Sequence, residues 1–141
     1  MDDCDPRTPC QKLTCALGTV QYRTIDIITF RNGLYGFEDY DRFVFVVHDE
    51  FKPFRWLVSL DDPELMFTVI DPTLVCKDYD PQLNHDTIEQ LWTLVSIDES
   101  NNKVTVNLRA PIIIQENGRQ GEQIISPVEA YELRFEIRPP S

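Results

Sequence analysis

The chain has 141 residues, of which 42% are hydrophobic and 26% charged, a composition typical of one globular domain and too apolar for a disordered chain. Thirteen basic and 24 acidic residues give a net charge of −11, which disfavours direct binding to nucleic acid, because the phosphate backbone requires a basic surface. No apolar run reaches the roughly 18 residues that span a bilayer, and the start "MDDCDPRTPC" lacks the basic and then apolar pattern of a signal peptide, so we expect a cytoplasmic protein that does not bind membranes.

The first sixteen residues predict a flexible leader before a single folded domain over residues 17–141. They are mostly polar and contain three of the four cysteines: Cys4, Cys10 and Cys15. The spacing of these thiols, C-x5-C-x4-C, matches neither the paired cysteines of a zinc site nor a redox motif. The two histidines, His48 and His85, are far apart in sequence. We therefore expect no metal site and no cofactor.

Short apolar runs separated by turn residues predict an all-β fold, a small compact antiparallel β-barrel. In chain order the runs are 20–30, 43–47, 54–60, 66–70, 93–97, 103–109, 111–115, 122–125 and 131–138. "DESNN" and "ENG", at 98–102 and 116–118, predict hairpin turns, because Asn and Gly adopt positive φ at low cost.

One short helix is predicted over 86–92. Asp86 and Glu89 have the spacing of a capping box, with Asp in place of the usual Ser or Thr. Apolar residues recur at helical intervals in the same stretch: Ile88, Leu91, Trp92 and Val95.

The negative charge is concentrated in one segment. Residues 38–90 contain thirteen acids and four bases, so this segment carries −9 of the net −11. A basic partner would complement such a surface. The alternative is that the acidity serves solubility alone.

Three aspartates follow two strand-like runs in "PFRWLVSLDDPELMFTVIDP", residues 53–72: Asp61, Asp62 and Asp71. Paired carboxylates can act as acid and base when their pKa values differ. Aspartate just before proline, however, is typical of a turn, since its side chain accepts hydrogen bonds from nearby amides. The chain has no phosphate-binding glycine loop, no G-x-S-x-G and no H-E-x-x-H. We therefore expect turns and no enzyme, with a hydrolase that uses these three aspartates as one alternative.

Three motifs in this order resemble the bacterial FliW family: "GLYGFEDYDRFVFV", "PFRWLVSLDDPELMFTVIDP" and "VNLRAPIII". The resemblance covers about residues 26–137 and implies a small antiparallel β-barrel, in agreement with the strand count. Three features depart from the family pattern, and one of them is the Cys-containing leader before about residue 17, which lies outside that pattern. Tyr35 stands where the family often has proline, and Gly118 changes the turn in "ENGRQGEQ".

The resemblance also implies a function. FliW-like proteins are cytoplasmic flagellar assembly factors and chaperones without enzymatic activity. They bind flagellin near its C-terminal helical region and antagonise the RNA-binding translational repressor CsrA, which couples flagellin synthesis to assembly. A stand-alone peptide- or carbohydrate-binding β-domain that uses Phe54 and Trp56 is the other alternative.

The candidate protein-binding residues lie in these motifs and in acidic, turn-like stretches. They are Phe37, Glu38, Asp39, Asp41, Phe54, Trp56, Asp61, Asp62, Asp71, Asp78, Asp80, Asn107 and Arg109.

Overall fold

A computed structural model describes residues 10–84 and 87–137 of the chain. The strands are β1 (Cys10–Cys15), β2 (Gly18–Arg23), β3 (Ile28–Phe30), β4 (Arg42–Val46), β5 (Arg55–Ser59), β6 (Met66–Ile70), β7 (Gln90–Asp98), β8 (Lys103–Val106), β9 (Ile112–Gln115), β10 (Gln120–Gln123) and β11 (Phe135–Ile137). Short 3-10 helices span Thr24–Asp26, Asp49–Phe51 and Pro72–Leu74. No helix within the described ranges is long and apolar enough to cross a membrane.

Seven of the strands form a closed barrel, which confirms the predicted β-barrel. Their order is β7, β6, β5, β4, β3, β10 and β9, and β9 pairs back with β7 to close the ring. Neighbouring barrel strands are antiparallel except β3 and β10, which are parallel. The second half of β7, from Val95 onward, pairs with β8, and β11 adds to the outer edge of β8.

Strand β4 shows how alternating side chains serve two cores, because successive residues of a strand point to opposite faces. Phe43 points into the barrel, where its ring meets that of Phe30 edge-on at 5.3 Å. Val44 and Val46 belong to a second cluster on the outside of the barrel. Both faces of this strand are therefore covered.

The outer cluster includes a segment that the sequence assigned to a flexible leader. Cys10–Cys15 instead form β1, which pairs with β2 in a two-stranded sheet. Leu13 is only 5% exposed and packs with Val44, Val46 and Val58. The leader prediction is wrong for these residues, because Leu13, together with partly buried neighbours in the hairpin such as Cys15, Leu17 and Val20, covers the outward valines of the barrel. Cys4 lies outside the described residues.

The predicted helix over 86–92 is also wrong where the structure describes it. Residues 87–89 are not helical, and Gln90 begins β7. Leu91 and Trp92 join different clusters, as neighbours on a strand do. Pairing with β6 and β9 therefore outweighs the local helical spacing. Asp86 lies outside the described residues, and the Glu89 carboxylate accepts hydrogen bonds from the amides of Asn117 and Gly118 at 2.9 and 3.0 Å.

Several strands are shorter than the apolar runs that predicted them, and the runs 20–30 and 131–138 differ from the structure in instructive ways. The run 20–30 is interrupted by the 3-10 helix Thr24–Asp26, which separates β2 from β3. The run 131–138 forms a strand only over Phe135–Ile137 within its described part, and Leu133 is exposed.

Candidate protein-binding surface

One end of the barrel is formed by the β3–β4 connection and the β5–β6 turn. The antiparallel pairing of β4 with β5 places Phe43 opposite Ser59, so these two connections emerge together. We call this region the acidic end. It carries six carboxylates against the guanidinium groups of Arg31 and Arg42: Glu38, Asp39, Asp41, Asp61, Asp62 and Glu64.

The β5–β6 turn is held by a buried hydroxyl. Ser59 Oγ accepts hydrogen bonds from the amides of Asp61 and Asp62 at 3.2 and 3.1 Å. Asp62 Oδ1 in turn accepts one from the Glu64 amide at 3.1 Å. Asp62 thus bonds to local backbone in the way that the Asp-Pro motif predicts.

Asp61 forms an ion pair across the acidic end. Arg42 Nη2 donates a hydrogen bond to Asp61 Oδ1 at 2.8 Å, and the two side chains are 52% and 30% exposed. The hydrogen bond from Arg42 lowers the pKa of Asp61, and the same bond raises the pKa of Arg42. Both groups therefore stay charged near neutral pH, which suits charge recognition and not proton transfer.

The β3–β4 connection has a tightly packed base. Gly33 has a φ of +66°, and a Cβ there would lie 2.5 Å from the Cα of Glu38, so only glycine fits. The ring of Phe37 meets that of Phe67 edge-on at 4.9 Å. Asp39 and Asp41 are exposed above this base. The loop therefore presents its carboxylates from a fixed frame.

Tyr35 makes a backbone contact that a proline at this position could not make. Its backbone N–H donates a hydrogen bond to Gln123 Oε1 at 2.9 Å, a bond that proline cannot donate because it has no N–H. The side chain of Tyr35 is 52% exposed. This tyrosine therefore adds an exposed aromatic ring to the acidic end.

Other acidic candidates lie at the opposite end, where β6 finishes. Asp71 Oδ1 accepts hydrogen bonds from the amide and hydroxyl of Thr73 at 2.9 and 2.7 Å and so caps the 3-10 helix Pro72–Leu74. Asp78 and Asp80 are exposed in the loop that follows. The structure therefore does not bring Asp71 together with Asp61 and Asp62 as the hydrolase hypothesis requires.

Three further candidates make contacts within the chain. Asn107 Oδ1 accepts hydrogen bonds from the amides of Arg109 and Ala110 at 3.1 and 2.9 Å. Arg109 Nε donates to the carbonyl of Ser126 at 2.9 Å. Phe54 is half-buried in the cluster that contains Leu108. Their participation in binding remains a prediction.

Trp56 lies in an aromatic group that the sequence did not reveal. Its ring meets those of Phe51 and His48 edge-on at 5.5 and 6.3 Å. Val47 and Phe51 are 45% and 49% exposed. We call Val47, His48, Phe51 and Trp56 the aromatic corner. Val47, His48 and Phe51 were not predicted from the sequence, because they lie in the connection between β4 and β5, where no periodic pattern indicates which side chains are exposed.

Three charged residues of the acidic end were not among the candidates predicted from the sequence: Arg31, Arg42 and Glu64. The alternation of β4 contained a signal for Arg42, since a charged residue next to Phe43 must point away from the barrel interior. Within residues 10–84 and 87–137, no three side chains of His, Cys, Asp or Glu are grouped so that they could hold a metal ion.

Comparisons with known proteins agree with this fold. The profile of the family described as "FliW protein" matches residues 12–137. The chain is 37% identical over 130 residues to the flagellar assembly factor FliW of Clostridium tetani, covering 85% of this chain and 90% of that protein. It is 36% identical over 129 residues to its counterpart from Thermotoga maritima, covering 84% and 87%. A crystal structure of the flagellar assembly factor FliW matches with a TM-score of 0.78 at 26% identity, covering 92% of this chain and 98% of that chain. The chain therefore belongs to the FliW family of flagellar assembly factors.

Proposed function

We propose that this protein acts in the cytoplasm by binding two proteins, flagellin and a CsrA-type RNA-binding repressor, and that it catalyses no reaction. When this protein binds the repressor, the repression of flagellin translation would be relieved, and flagellin synthesis would thereby be coupled to assembly. Membership in a family of flagellar assembly factors supports the general role, and the acidic end supports a basic partner.

The observation that carries the repressor proposal is the charge of the acidic end. Six carboxylates face two guanidinium groups there, and one of the two, that of Arg42, is already paired with Asp61. A protein that binds RNA needs a basic surface, and such a surface is complementary to this end. RNA itself would be repelled, so an effect on translation would pass through the repressor.

Apolar side chains at the acidic end would slow the dissociation of the complex with the repressor. Phe37 and Tyr35 are 37% and 52% exposed beside the carboxylates. Peripheral charges mainly set the association rate and its salt dependence, whereas desolvated aromatic contacts mainly set dissociation.

Charge reversal at the acidic end tests this proposal. The variant Asp39→Lys, Asp41→Lys, Glu64→Lys should associate with the repressor about tenfold more slowly at low salt, and its association rate should depend less on salt. Surface kinetics over a series of salt concentrations would measure both effects. A matched control reverses three exposed glutamates outside the acidic end, Glu116→Lys, Glu129→Lys and Glu132→Lys, and so has the same net charge.

The control triple should change the association rate much less than the triple at the acidic end. Equal slowing by both would mean that only net charge matters and that the acidic end is not the site. An unchanged association rate for the Asp39→Lys, Asp41→Lys, Glu64→Lys variant would show that the acidic end is a solvated surface that does not bind the repressor.

A further inference from the structure

Asparagine stands directly before glycine at two places in the chain, residues 32–33 and 117–118. An asparagine in this setting can lose its side-chain amide, because glycine has no side chain to hinder its own backbone nitrogen. That nitrogen attacks the Cγ of the asparagine and closes a succinimide ring, and ammonia leaves with the proton of the N–H. Water then opens the ring to aspartate or isoaspartate. The reaction therefore needs a glycine nitrogen that is free to move onto the asparagine side chain.

The first of the two pairs has a glycine that backbone atoms hold. The Gly33 N–H donates a hydrogen bond to the carbonyl of Phe30 at 2.9 Å. Gly33 is also buried against the backbone of Glu38. The nitrogen that would attack Asn32 is therefore restrained by packing and by a main-chain bond.

The second pair has a glycine that a side chain holds. The Glu89 carboxylate accepts the N–H of Asn117 at 2.9 Å with one oxygen and the N–H of Gly118 at 3.0 Å with the other. The Glu89 amide donates to the carbonyl of Ile114 at 2.9 Å, which fixes Glu89 beside β9. Hydrogen bonds to a charged acceptor are stronger than those between neutral groups. The nitrogen that would attack Asn117 is therefore bound to a carboxylate from a distant part of the chain.

The side chain of Asn117 is open to attack. It is exposed in the turn between β9 and β10. Within residues 10–84 and 87–137, no hydrogen bond involves its side-chain amide. Exposed turns open locally at a low cost in free energy. The bond from Gly118 to Glu89 is therefore the contact that keeps the attacking nitrogen away from this side chain.

We propose that Asn117 is a deamidation site that Glu89 holds in an unreactive state. The proposal does not depend on the partners proposed above. A succinimide nitrogen carries no hydrogen, so Gly118 would lose its bond to Glu89 when the ring forms. The acid that follows would place a new carboxylate beside that of Glu89, and like charges repel. The modification would thus loosen the β9–β10 turn close to the place where β9 pairs with β7 and closes the barrel.

Peptide mapping tests the proposal. Trypsin places the two asparagines on separate peptides, residues 32–42 and 110–119, and mass spectrometry distinguishes the amide from the acid in each. The folded wild type is incubated at mildly alkaline pH beside a synthetic peptide of residues 112–121. Asn117 should convert at least about tenfold more slowly in the protein, because a hydrogen bond to a charged group must break first. Glu89→Ala should remove most of this protection.

Two further variants separate the hydrogen bonds from charge and from stability. Glu89→Gln keeps the size and one accepting oxygen, so Asn117 should convert at a rate between those of the wild type and Glu89→Ala. Glu116→Gln is the matched control, because it removes an exposed carboxylate next to the same asparagine and leaves Glu89 in place. Its rate should stay within about twofold of the wild type. Asn32 should convert equally slowly in every variant.

Three results would overturn the proposal. Wild-type Asn117 that converts as fast as the synthetic peptide has no protection. Equal rates in the wild type and Glu89→Ala would mean that another contact holds the nitrogen, and slower conversion in the Glu89 variants would make the carboxylate a promoter of the reaction. If Glu89→Ala also speeds conversion at Asn32, that variant has lost its fold, and Glu89→Gln decides. Faster conversion at Asn117 alone supports the proposal, and any other pattern overturns it.

Discussion

Single residues of the acidic end set local charge and turn geometry, and Asp61 is the clearest case. Its carboxylate is bonded to Arg42, which lowers its pKa below the usual 3.8. A carboxylate with a lowered pKa stabilises the folded state above its unfolded pKa, and this contribution is lost as the pH falls through the lowered value. The pair is largely exposed, so the contribution is small.

Asp61→Asn should therefore lower the free energy of unfolding near neutral pH by less than about 1 kcal/mol. The difference from wild type should shrink in acid, because the unfolded carboxylate takes up its proton first and the folded carboxylate follows at its lowered pKa. Urea unfolding at about pH 7 and about pH 3 would measure it. Asp39→Asn, an exposed aspartate outside this ion pair, is the control and should change little at either pH. A difference that grows in acid would contradict this account.

At the scale of elements, the β1–β2 hairpin covers the outer face of β4 and β5. Leu13 supplies the buried contact, and Lys12 next to it is exposed. Leu13→Ala should lower the free energy of unfolding by about 2 kcal/mol, because it removes apolar contacts from a covered surface. Lys12→Ala, a matched truncation on the exposed side of β1, should stay within about 0.5 kcal/mol of wild type. Denaturant unfolding of both variants would test this, and equal stabilities would restore the prediction of a dispensable leader.

The molecule as a whole carries enough like charge to repel itself. A net charge of −11 on 141 residues destabilises the compact state, and salt screens that repulsion. The melting temperature should therefore rise as sodium chloride is added at low ionic strength. The Asp39→Lys, Asp41→Lys, Glu64→Lys variant gains six charges, from −11 to −5, and its melting temperature should rise less. A melting temperature that falls with salt would show that attractive ion pairs outweigh the repulsion.

The sequence by itself determined the features that depend on neighbouring residues. Strands β4 and β6 match their apolar runs closely, since side-chain alternation with a period of two is a local property. The turn role of Asp62 and Asp71 follows from hydrogen bonds to residues two positions away. The family motifs are local as well, and they predicted the barrel correctly.

Only the tertiary structure decided the features that depend on distant residues. β7 begins at Gln90 because β9 pairs with it there and β6 pairs with the Thr93 and Leu94 that follow, although the local spacing favours a helix. Asp61 meets Arg42 across two strands while Asp71 lies at the other end, so one acidic segment divides into two surfaces. Leu13 is likewise buried only because β1 packs on the outer valines of the barrel, and the aromatic corner forms only because the β4–β5 turn packs on Trp56. The physical reason is that burial and strand pairing bring together residues that are far apart in the chain. Periodicity within a short window carries no information about which distant strand a segment pairs with.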